Sequence, residues 1–268
     1  HLHHLSPSGK LLRSIRSQIK SLLYPFYEWR IVKDLDFTKT PRHVGVTLDG
    51  NRRWAKQNPD PNDPYGHKRG AQKIADLLGW CEETQVEVVT LWMLSTDNFK
   101  RTPEEVETLI EVIGSIVDDL AARKRWRIKA VGALDVLPEA LAAKLAALPD
   151  CADSKLQVNV AVGYGGRREI VDAVKGFLNE ESKAGRTLEE ATADLDMDAI
   201  ARHLYTAGQP DPDLLIRTSG EQRLGGFLLW QSALSEFYFC EAYWPDFRRV
   251  DFLRALRDYS LRHRRLGK

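Results

Sequence analysis

Short apolar runs alternate with amphipathic stretches along most of the chain. Six apolar runs predict strands, over residues 43–48, 86–94, 127–131, 156–162, 214–218 and 237–241. Between them, apolar positions repeat at helical spacing, most clearly over 71–83 and 168–179. Strands separated by helices of this length form crossover units. The pattern therefore predicts an α/β fold: a single domain with a mostly parallel β-sheet flanked by helices.

One helix start has a specific signal. The residues Thr102-Pro103-Glu104-Glu105 match a capping box with proline at the first helical position. In a capping box the threonine hydroxyl binds the backbone of the glutamate, and the glutamate carboxylate binds the backbone of the threonine. Apolar residues then continue at helical spacing from Val106 to Leu120, so we expect a long helix here.

A basic amphipathic helix is predicted over residues 9–33. Its apolar face carries Leu11, Leu12, Ile15, Ile19, Leu22, Leu23, Phe26 and Trp29. Six basic residues in this segment face a single acid, Glu28. Such a helix either lies on a membrane surface or docks on its own domain, and periodicity leaves both open. We expect residues 1–33 to form an N-terminal extension and residues 34–268 to form the main domain.

Composition excludes several classes of protein. The chain is 43% hydrophobic, too apolar for a disordered protein, and its net charge of +1 predicts no nucleic-acid partner. Three widely spaced cysteines rule out a disulfide scaffold and a cysteine-rich zinc site. No apolar run approaches the roughly 20 residues of a membrane span, and no signal-peptide pattern is present. We expect a cytoplasmic protein, associated with the cytoplasmic face of the membrane if the helix over 9–33 binds lipid.

Candidate chemistry follows the predicted strands. Ligands of an open parallel sheet bind outside the carboxyl ends of its strands. Arg53, Arg101, Arg217 and Arg223 all lie in segments that follow such strands. Arginine binds phosphate bidentately, and four arginines exceed what one phosphate group requires. The sequence therefore predicts one or two ligands with several phosphates, and the absence of GxxxxGK[ST] excludes a P-loop enzyme.

Two carboxylates and two other polar residues have more than one interpretation. Asp49, before a glycine at a strand end, is either a turn residue or an Mg²⁺ ligand beside phosphate. Glu236 lies in an apolar stretch and is the natural second carboxylate, from the same or another subunit. His67 either assists a diphosphate or caps a helix, and Asn98 is either a turn residue or a donor and acceptor at the site.

Five segments, in order, resemble the five sequence blocks of the cis-prenyltransferases, the family of undecaprenyl diphosphate synthase. They are HVGVTLDGNRRWAK, GHKRGA, LSTDNFKR, VGYGGRREIV and DLLIRTSGEQRLGGFLLWQSALSEFYF with WPDF. The resemblance runs from about Arg42 to the C-terminus. It implies a Mg²⁺-dependent homodimer that condenses isopentenyl diphosphate with an allylic diphosphate. An apolar tunnel would hold the growing chain, and the new double bonds would have Z geometry.

The resemblance also implies roles for individual residues. Asp49 would be the catalytic aspartate and central Mg²⁺ ligand, Glu236 would complete the metal site across the dimer, His67 would assist at the allylic diphosphate, and Asn98 would accept the proton. The allylic diphosphate would bind at Gly50, Asn51, Arg52, Arg53 and Trp54. The substrates would also contact Ser95, Thr96, Asp97, Phe99 and Arg101. Isopentenyl diphosphate would bind at Arg217, Arg223, Leu224 and Gly225.

Four positions depart from the family pattern. Arg52 stands where many members have glycine, and Phe99 replaces a common tryptophan. Asp63 occupies a position that is often a diphosphate-binding arginine, so that contact is in question. Gly225 replaces a serine that would bind isopentenyl diphosphate, and a backbone N–H would have to substitute for it.

Product length is predicted from the residue at position 93. Met93 stands where long-chain members resemble one another in having a small residue, and a filled tunnel floor stops elongation early. The overall pattern resembles the actinobacterial branch that makes Z,E-farnesyl diphosphate. We expect a C15 product from geranyl diphosphate. The alternatives are a C50 or C55 polyprenyl diphosphate synthase, head-to-middle joining of two C5 units, and a non-catalytic partner subunit.

Overall fold

The computed structural model describes residues 7–266 of the chain. By its internal contacts the chain divides into two compact units. Pro41–Phe247 forms the larger unit, and the segments before and after it form the smaller one. The helices, in chain order, are α1 (Pro7–Asp34), α2 (Asn51–Gln57), α3 (His67–Glu83), α4 (Pro103–Arg123), α5 (Glu139–Ala146), α6 (Gly166–Lys183), α7 (Leu188–Asp194), α8 (Met197–His203) and α9 (Arg249–Leu266).

The strands of the larger unit are β1 (His43–Thr47), β2 (Val88–Ser95), β3 (Arg127–Val131), β4 (Gln157–Tyr164), β5 (Leu214–Arg217) and β6 (Glu236–Phe239). They form a parallel sheet in the order β3-β4-β2-β1-β5-β6. Each lies within two residues of a predicted strand at both ends. The predicted α/β fold with a parallel sheet flanked by helices is therefore confirmed.

The central strands are buried on both faces. Val44 and Val46 of β1, Val89 of β2, and Val158 and Val160 of β4 are fully buried. Strands covered on both faces carry continuous apolar runs instead of alternating ones, since neither face meets water. This is why the strand signal in the sequence is a block of hydrophobic residues.

One helix start and one helix cap differ from their predictions for physical reasons. Helix α3 begins four residues earlier than predicted because the Asp63 carboxylate accepts hydrogen bonds from the backbone N–H groups of Lys68 (3.1 Å) and Arg69 (2.9 Å). At α4 the Thr102 hydroxyl accepts from the Glu105 N–H at 3.3 Å, as predicted. The reciprocal contact of the predicted capping box is wrong, because the buried Glu105 carboxylate binds basic side chains instead.

The strand register decides which residues meet at one edge. Thr47 of β1 pairs with Trp92 of β2 and with Arg217 of β5, so the segments that follow these three strands share the carboxyl edge. Glu236 instead opens β6 and pairs with Leu214, the first residue of β5. It therefore lies near the amino edge of the sheet, remote from Asp49 of the same chain.

The smaller unit joins α1 and α9. Ile31 of α1 is buried with Val250 and Leu253 of α9, and Tyr24 packs against this cluster. The other side of α1 carries exposed apolar residues, which are Leu11, Leu12, Ile15, Ile19, Leu22, Leu23, Phe26 and Trp29. The domain boundary at residues 33 and 34 stays a prediction, and residues 1–6 of the predicted extension lie outside the described residues. Within residues 7–266, none of the helices combines the length and apolar character needed to cross a membrane.

Candidate functional site

A cavity of about 660 Å³ opens at the carboxyl edge of the sheet. Its walls come from the segments after β1, β2 and β5 and from the starts of α2, α3 and α4. The residues that line it are Thr47, Leu48, Asp49, Gly50, Asn51, Arg52, Arg53, Lys56, His67, Trp92, Met93, Ser95, Asp97, Asn98, Arg101, Leu109, Arg217, Arg223 and Gly225. The four arginines predicted to converge after separate strands all lie here.

Asp49 is held by three side chains. Its Oδ2 lies 3.2 Å from Arg217 Nη2 and 3.5 Å from Arg53 Nη2, and it accepts a hydrogen bond from the Ser219 hydroxyl at 2.9 Å. The Ser219 hydroxyl in turn accepts from Arg53 Nη2 at 2.7 Å. Thr218 fixes the backbone, since its hydroxyl donates to the Asp49 carbonyl at 2.6 Å. The carboxylate is thus oriented, and it is still 32% exposed.

Ser219 was not among the predicted site residues. Its φ of 75° lies in the left-handed region, which costs a non-glycine residue of order 1–3 kcal/mol. Its hydroxyl connects Asp49 with Arg53, so the strained backbone places a useful group. The sequence signal was the polar segment after β5, which gives no indication of backbone conformation.

The segment after β5 supplies the second group of basic residues. Arg217 is mostly buried and donates from Nη1 to the Arg223 carbonyl at 2.7 Å. Gly225 has a φ of 67°, and a Cβ there would lie 3.2 Å from Arg217 Nη1. Glycine therefore suits this backbone better than the serine of the family pattern. Leu224 is not a lining residue, because it packs against the buried cluster of Phe227 and Leu228.

Helix α2 brings its first turn to the cavity. Gly50 precedes it with a φ of 109°, and a Cβ there would meet Tyr243 at 2.8 Å. Asn51, Arg52 and Arg53 then line the cavity. Trp54 does not, because its indole N–H donates to Asp246 Oδ1 at 3.0 Å.

The segment after β2 forms a short 3-10 helix, Thr96–Lys100. Ser95 and Asn98 form a reciprocal cap, in which Asn98 Oδ1 accepts from the Ser95 N–H at 2.7 Å and the Ser95 hydroxyl accepts from the Asn98 N–H at 3.1 Å. Ser95, Asp97, Asn98 and Arg101 line the cavity, whereas Thr96 and Phe99 do not.

His67 and Glu105 form a buried pair beside Asn51 and Arg52 of α2. His67 Nε2 lies 3.4 Å from Glu105 Oε1, and both side chains are less than 5% exposed. Burial lowers the pKa of His67, although the negative charge of Glu105 acts against this shift. Asn51 Nδ2 lies 3.5 Å from His67 Nδ1 on the other side of the ring. Sequence reasoning missed Glu105, because its place in the first helical turn indicated a capping role.

A small apolar slot continues below the cavity. Its volume is about 40 Å³, and its apolar walls include Ile74 of α3 and Val112, Ile113 and Ile116 of α4. Met93 and Leu109 stand at the boundary, because they line both the slot and the cavity, as do Leu48, Asn51 and His67. One water-sized group needs roughly 10–15 Å³, so the slot has room for about three such groups.

The residues present fit a magnesium ion only in part. Mg²⁺ binds through one or two carboxylates together with substrate phosphates. Asp49 supplies one carboxylate in a cavity rich in arginines, which suits this pattern. Across residues 7–266 there is no cluster of three or more His, Cys, Asp or Glu side chains that could hold a metal by itself. Glu236 cannot share an ion with Asp49 of the same chain, given the register of β6.

Comparison with known proteins gives a consistent picture. The family model described as "Putative undecaprenyl diphosphate synthase" matches residues 47–267. A (2Z,6E)-farnesyl diphosphate synthase of Thermobifida fusca is 59% identical over 91% of this chain and 97% of its own length. The isoprenyl transferase 1 of Streptomyces avermitilis is 52% identical over 95% of this chain and 99% of its own. The short-chain Z-isoprenyl diphosphate synthase of Mycobacterium leprae is 51% identical over the same shares.

A solved structure shares the fold. The crystal structure of lavandulyl diphosphate synthase from Lavandula x intermedia, in complex with dimethylallyl diphosphate, superposes with a TM-score of 0.75. It is 32% identical in sequence and covers 83% of this chain and 96% of its own.

Proposed function

Since the chain belongs to the undecaprenyl diphosphate synthase family of prenyltransferases, we propose that it condenses isopentenyl diphosphate with geranyl diphosphate to a C15 Z,E-prenyl diphosphate. The observation that carries this proposal is the cavity with its small slot. Five arginines and Asp49 line the cavity, which suits two diphosphates. The slot below them has room for about three water-sized groups, which suits a short chain.

The proposed reaction breaks one C–O bond, forms one C–C bond and removes one proton. The C–O bond of the allylic diphosphate breaks, and diphosphate leaves with the bonding pair. The double bond of isopentenyl diphosphate supplies the electrons of the new C–C bond, which leaves a positive charge on its inner alkene carbon. A proton then leaves the carbon next to that charge, and the electrons of the broken C–H bond form the new double bond. No activated serine or cysteine is needed, because the nucleophile is an alkene.

The chain's own residues contribute binding and charge. Arginine side chains aimed at a leaving diphosphate stabilise the negative charge that develops on it, and they are most effective in a partly closed cavity. We assign Arg52, Arg53 and Arg101 to the allylic diphosphate, and Arg217 and Arg223 to isopentenyl diphosphate. Mg²⁺, when held by Asp49 and diphosphate oxygens, supplies further positive charge at the leaving group.

Proton removal is assigned to the segment after β2. Asn98 lines the cavity and is the candidate proton acceptor, with one hydrogen bond already accepted at Oδ1. His67 is placed at the allylic diphosphate, where its lowered pKa favours the neutral imidazole near pH 7. A neutral imidazole can donate one hydrogen bond to a phosphate without itself carrying charge.

The proposal includes a homodimer. Asp49 and Glu236 lie at opposite edges of the sheet within one chain, so a site that needs both carboxylates needs two chains. Glu236 of the partner subunit would then complete the metal site begun by Asp49. Mg²⁺ beside diphosphate binds through one or two carboxylates, and the proposed second carboxylate, Glu236, reaches Asp49 only from another chain.

The proposal also places α1 on the surface of an anionic membrane. Its exposed apolar residues, including Leu22 and Phe26, lie opposite the side that packs on α9. Arg16 and Lys20 are exposed along the same helix. A second copy of this helix would bring like charges together, whereas an anionic surface attracts them. Co-sedimentation with anionic vesicles tests this placement, with Leu188→Glu on α7 as the control. Leu22→Glu should sediment less than the control, and equal sedimentation of both variants contradicts the membrane placement.

Product analysis tests the proposed activity. The purified chain is incubated with labelled isopentenyl diphosphate, Mg²⁺ and, separately, dimethylallyl, geranyl or farnesyl diphosphate. A dephosphorylated C15 product from geranyl diphosphate supports the proposal. A C50 or C55 ladder from farnesyl diphosphate contradicts the short-chain assignment. A further incubation with dimethylallyl diphosphate and Mg²⁺ alone, without isopentenyl diphosphate, tests head-to-middle joining, which would give a C10 product. A chain inactive in every incubation would indicate a partner subunit.

A further inference from the structure

Glu105 is a buried carboxylate that faces three basic side chains. Its side chain is only 2% exposed. Oε1 accepts a hydrogen bond from Arg101 Nη1 at 3.0 Å and lies 3.3 Å from Arg52 Nε and 3.4 Å from His67 Nε2. An ionised carboxylate at this depth requires such partners, because the free-energy cost of burying an unpaired charge is far larger than the stabilisation that a helix cap provides.

The three partners come from separate parts of the chain. Arg52 lies on α2, His67 opens α3, and Arg101 follows the 3-10 helix after β2. All three line the cavity, whereas Glu105 does not. One carboxylate behind the wall thus connects α4 to all three segments.

We propose that Glu105 is a positioning residue that sets the affinity for the allylic diphosphate by holding Arg52, His67 and Arg101 on the cavity wall. This inference rests on the proposed function. Each guanidinium has five N–H donors in a fixed plane, so one can bind Glu105 while the others face a phosphate. The carboxylate also offsets the mutual repulsion of the two arginines when no diphosphate is bound.

A role confined to folding would have different consequences. Loss of a structural carboxylate lowers the melting temperature and the fraction of active enzyme, so kcat falls while both KM values stay unchanged. Loss of a positioning carboxylate raises the KM of the substrate whose ligands it holds. Arg217 and Arg223, assigned to isopentenyl diphosphate, make no contact with Glu105 in the ion pairs of residues 7–266.

The test compares Glu105→Gln with Glu104→Gln, an exposed carboxylate one residue earlier on the same helix. We expect Glu105→Gln to raise the KM for geranyl diphosphate about tenfold and the KM for isopentenyl diphosphate less than twofold, with Glu104→Gln unchanged. Glu105→Asp keeps the negative charge, but the side chain is one methylene group shorter and the carboxylate lies farther from its basic partners. It should give a smaller rise and serves as the second variant if the glutamine variant does not fold.

A double-mutant cycle identifies the link to Arg52. Arg52→Met should raise the KM for geranyl diphosphate in the wild-type background and have little further effect beside Glu105→Gln, because Arg52 is then already displaced. Calorimetry with inorganic pyrophosphate should show the same loss of affinity without turnover. An unchanged KM for geranyl diphosphate in both Glu105 variants overturns the proposal, as does an equal change for both substrates. A wild-type chain that binds pyrophosphate yet makes no product would instead refute the proposed function.

Discussion

Exchange of Met93 for alanine is predicted to lengthen the product. Met93 stands at the boundary between the cavity and the slot, and its removal would join the two spaces. The side chain loses three heavy atoms beyond Cβ, which adds to the slot of about 40 Å³. With room for roughly three groups already in the slot, the enlarged space holds about six, enough for one further C5 unit.

The energetic gain from such a unit is large. Burial of five carbon atoms at about 0.8 kcal/mol each favours the longer chain by about 4 kcal/mol, close to a factor of 10³ in an equilibrium constant. In the wild type this gain is not available, because the slot has room for only about three groups, fewer than the five carbon atoms of a C5 unit. The cost to the fold should be at most about 2 kcal/mol, the low end for Met→Ala, since Met93 is only half-buried.

The assay separates dephosphorylated products by chain length. Wild type should give C15 from geranyl diphosphate, and Met93→Ala should give mainly C20. Met93→Leu conserves volume and should keep the C15 product, which controls for any change of sequence at this position. A C15 product from Met93→Ala, at wild-type turnover, would refute the slot as the stop for elongation. Products of C35 or longer would show that further residues move to open a tunnel.

Three further predictions concern assembly, pH and the backbone. Asp49→Asn and Glu236→Gln subunits, each inactive alone, should recover up to about a quarter of wild-type activity when mixed if two chains share each site, because half of the dimers are then mixed and each mixed dimer has one intact site. No recovery contradicts the shared site. Burial lowers the pKa of His43 from 6.5 to about 4, although the Pro210 carbonyl and Asp213 oppose this. As the pH falls, His43 binds its proton in the unfolded chain before it does so in the folded chain, so the free energy of unfolding should fall by about 3 kcal/mol between pH 7.5 and 4. Denaturant titrations should show a weaker pH dependence of this free energy for His43→Gln. Gly225→Ser should lower the melting temperature more than Gly208→Ser, because both have positive φ but only Gly225 faces Arg217; equal losses would contradict the role of that contact.

Local patterns in the sequence were sufficient for the fold class. Each strand is a block of apolar residues because both faces of the sheet are covered, and each helix between strands has its own periodicity. The rule that loops at the carboxyl ends of parallel strands meet then brought Asp49, Arg53, Arg101, Arg217 and Arg223 to one cavity. These predictions needed only the order of elements and no knowledge of packing.

Side-chain direction and long-range pairing depended on the tertiary structure. Trp54 and Leu224 belong to the right segments but turn away from the cavity, toward Asp246 and a hydrophobic cluster. Glu105 has the sequence signal of a cap, yet its carboxylate meets groups from α2 and α3. Local spacing says which residues neighbour each other along an element. Contacts between elements are decided by packing, which the spacing does not encode.

The sequence by itself determined the family resemblance, the parallel sheet and the set of phosphate-binding side chains, because these follow from motifs and periodicity within short segments. Only the tertiary structure decided that Asp49 and Glu236 lie at opposite edges of one sheet, since that depends on the register of β6. It also decided the size of the slot beside Met93. A volume of this kind is the space left when β2, α3 and α4 pack, and no single segment contains it.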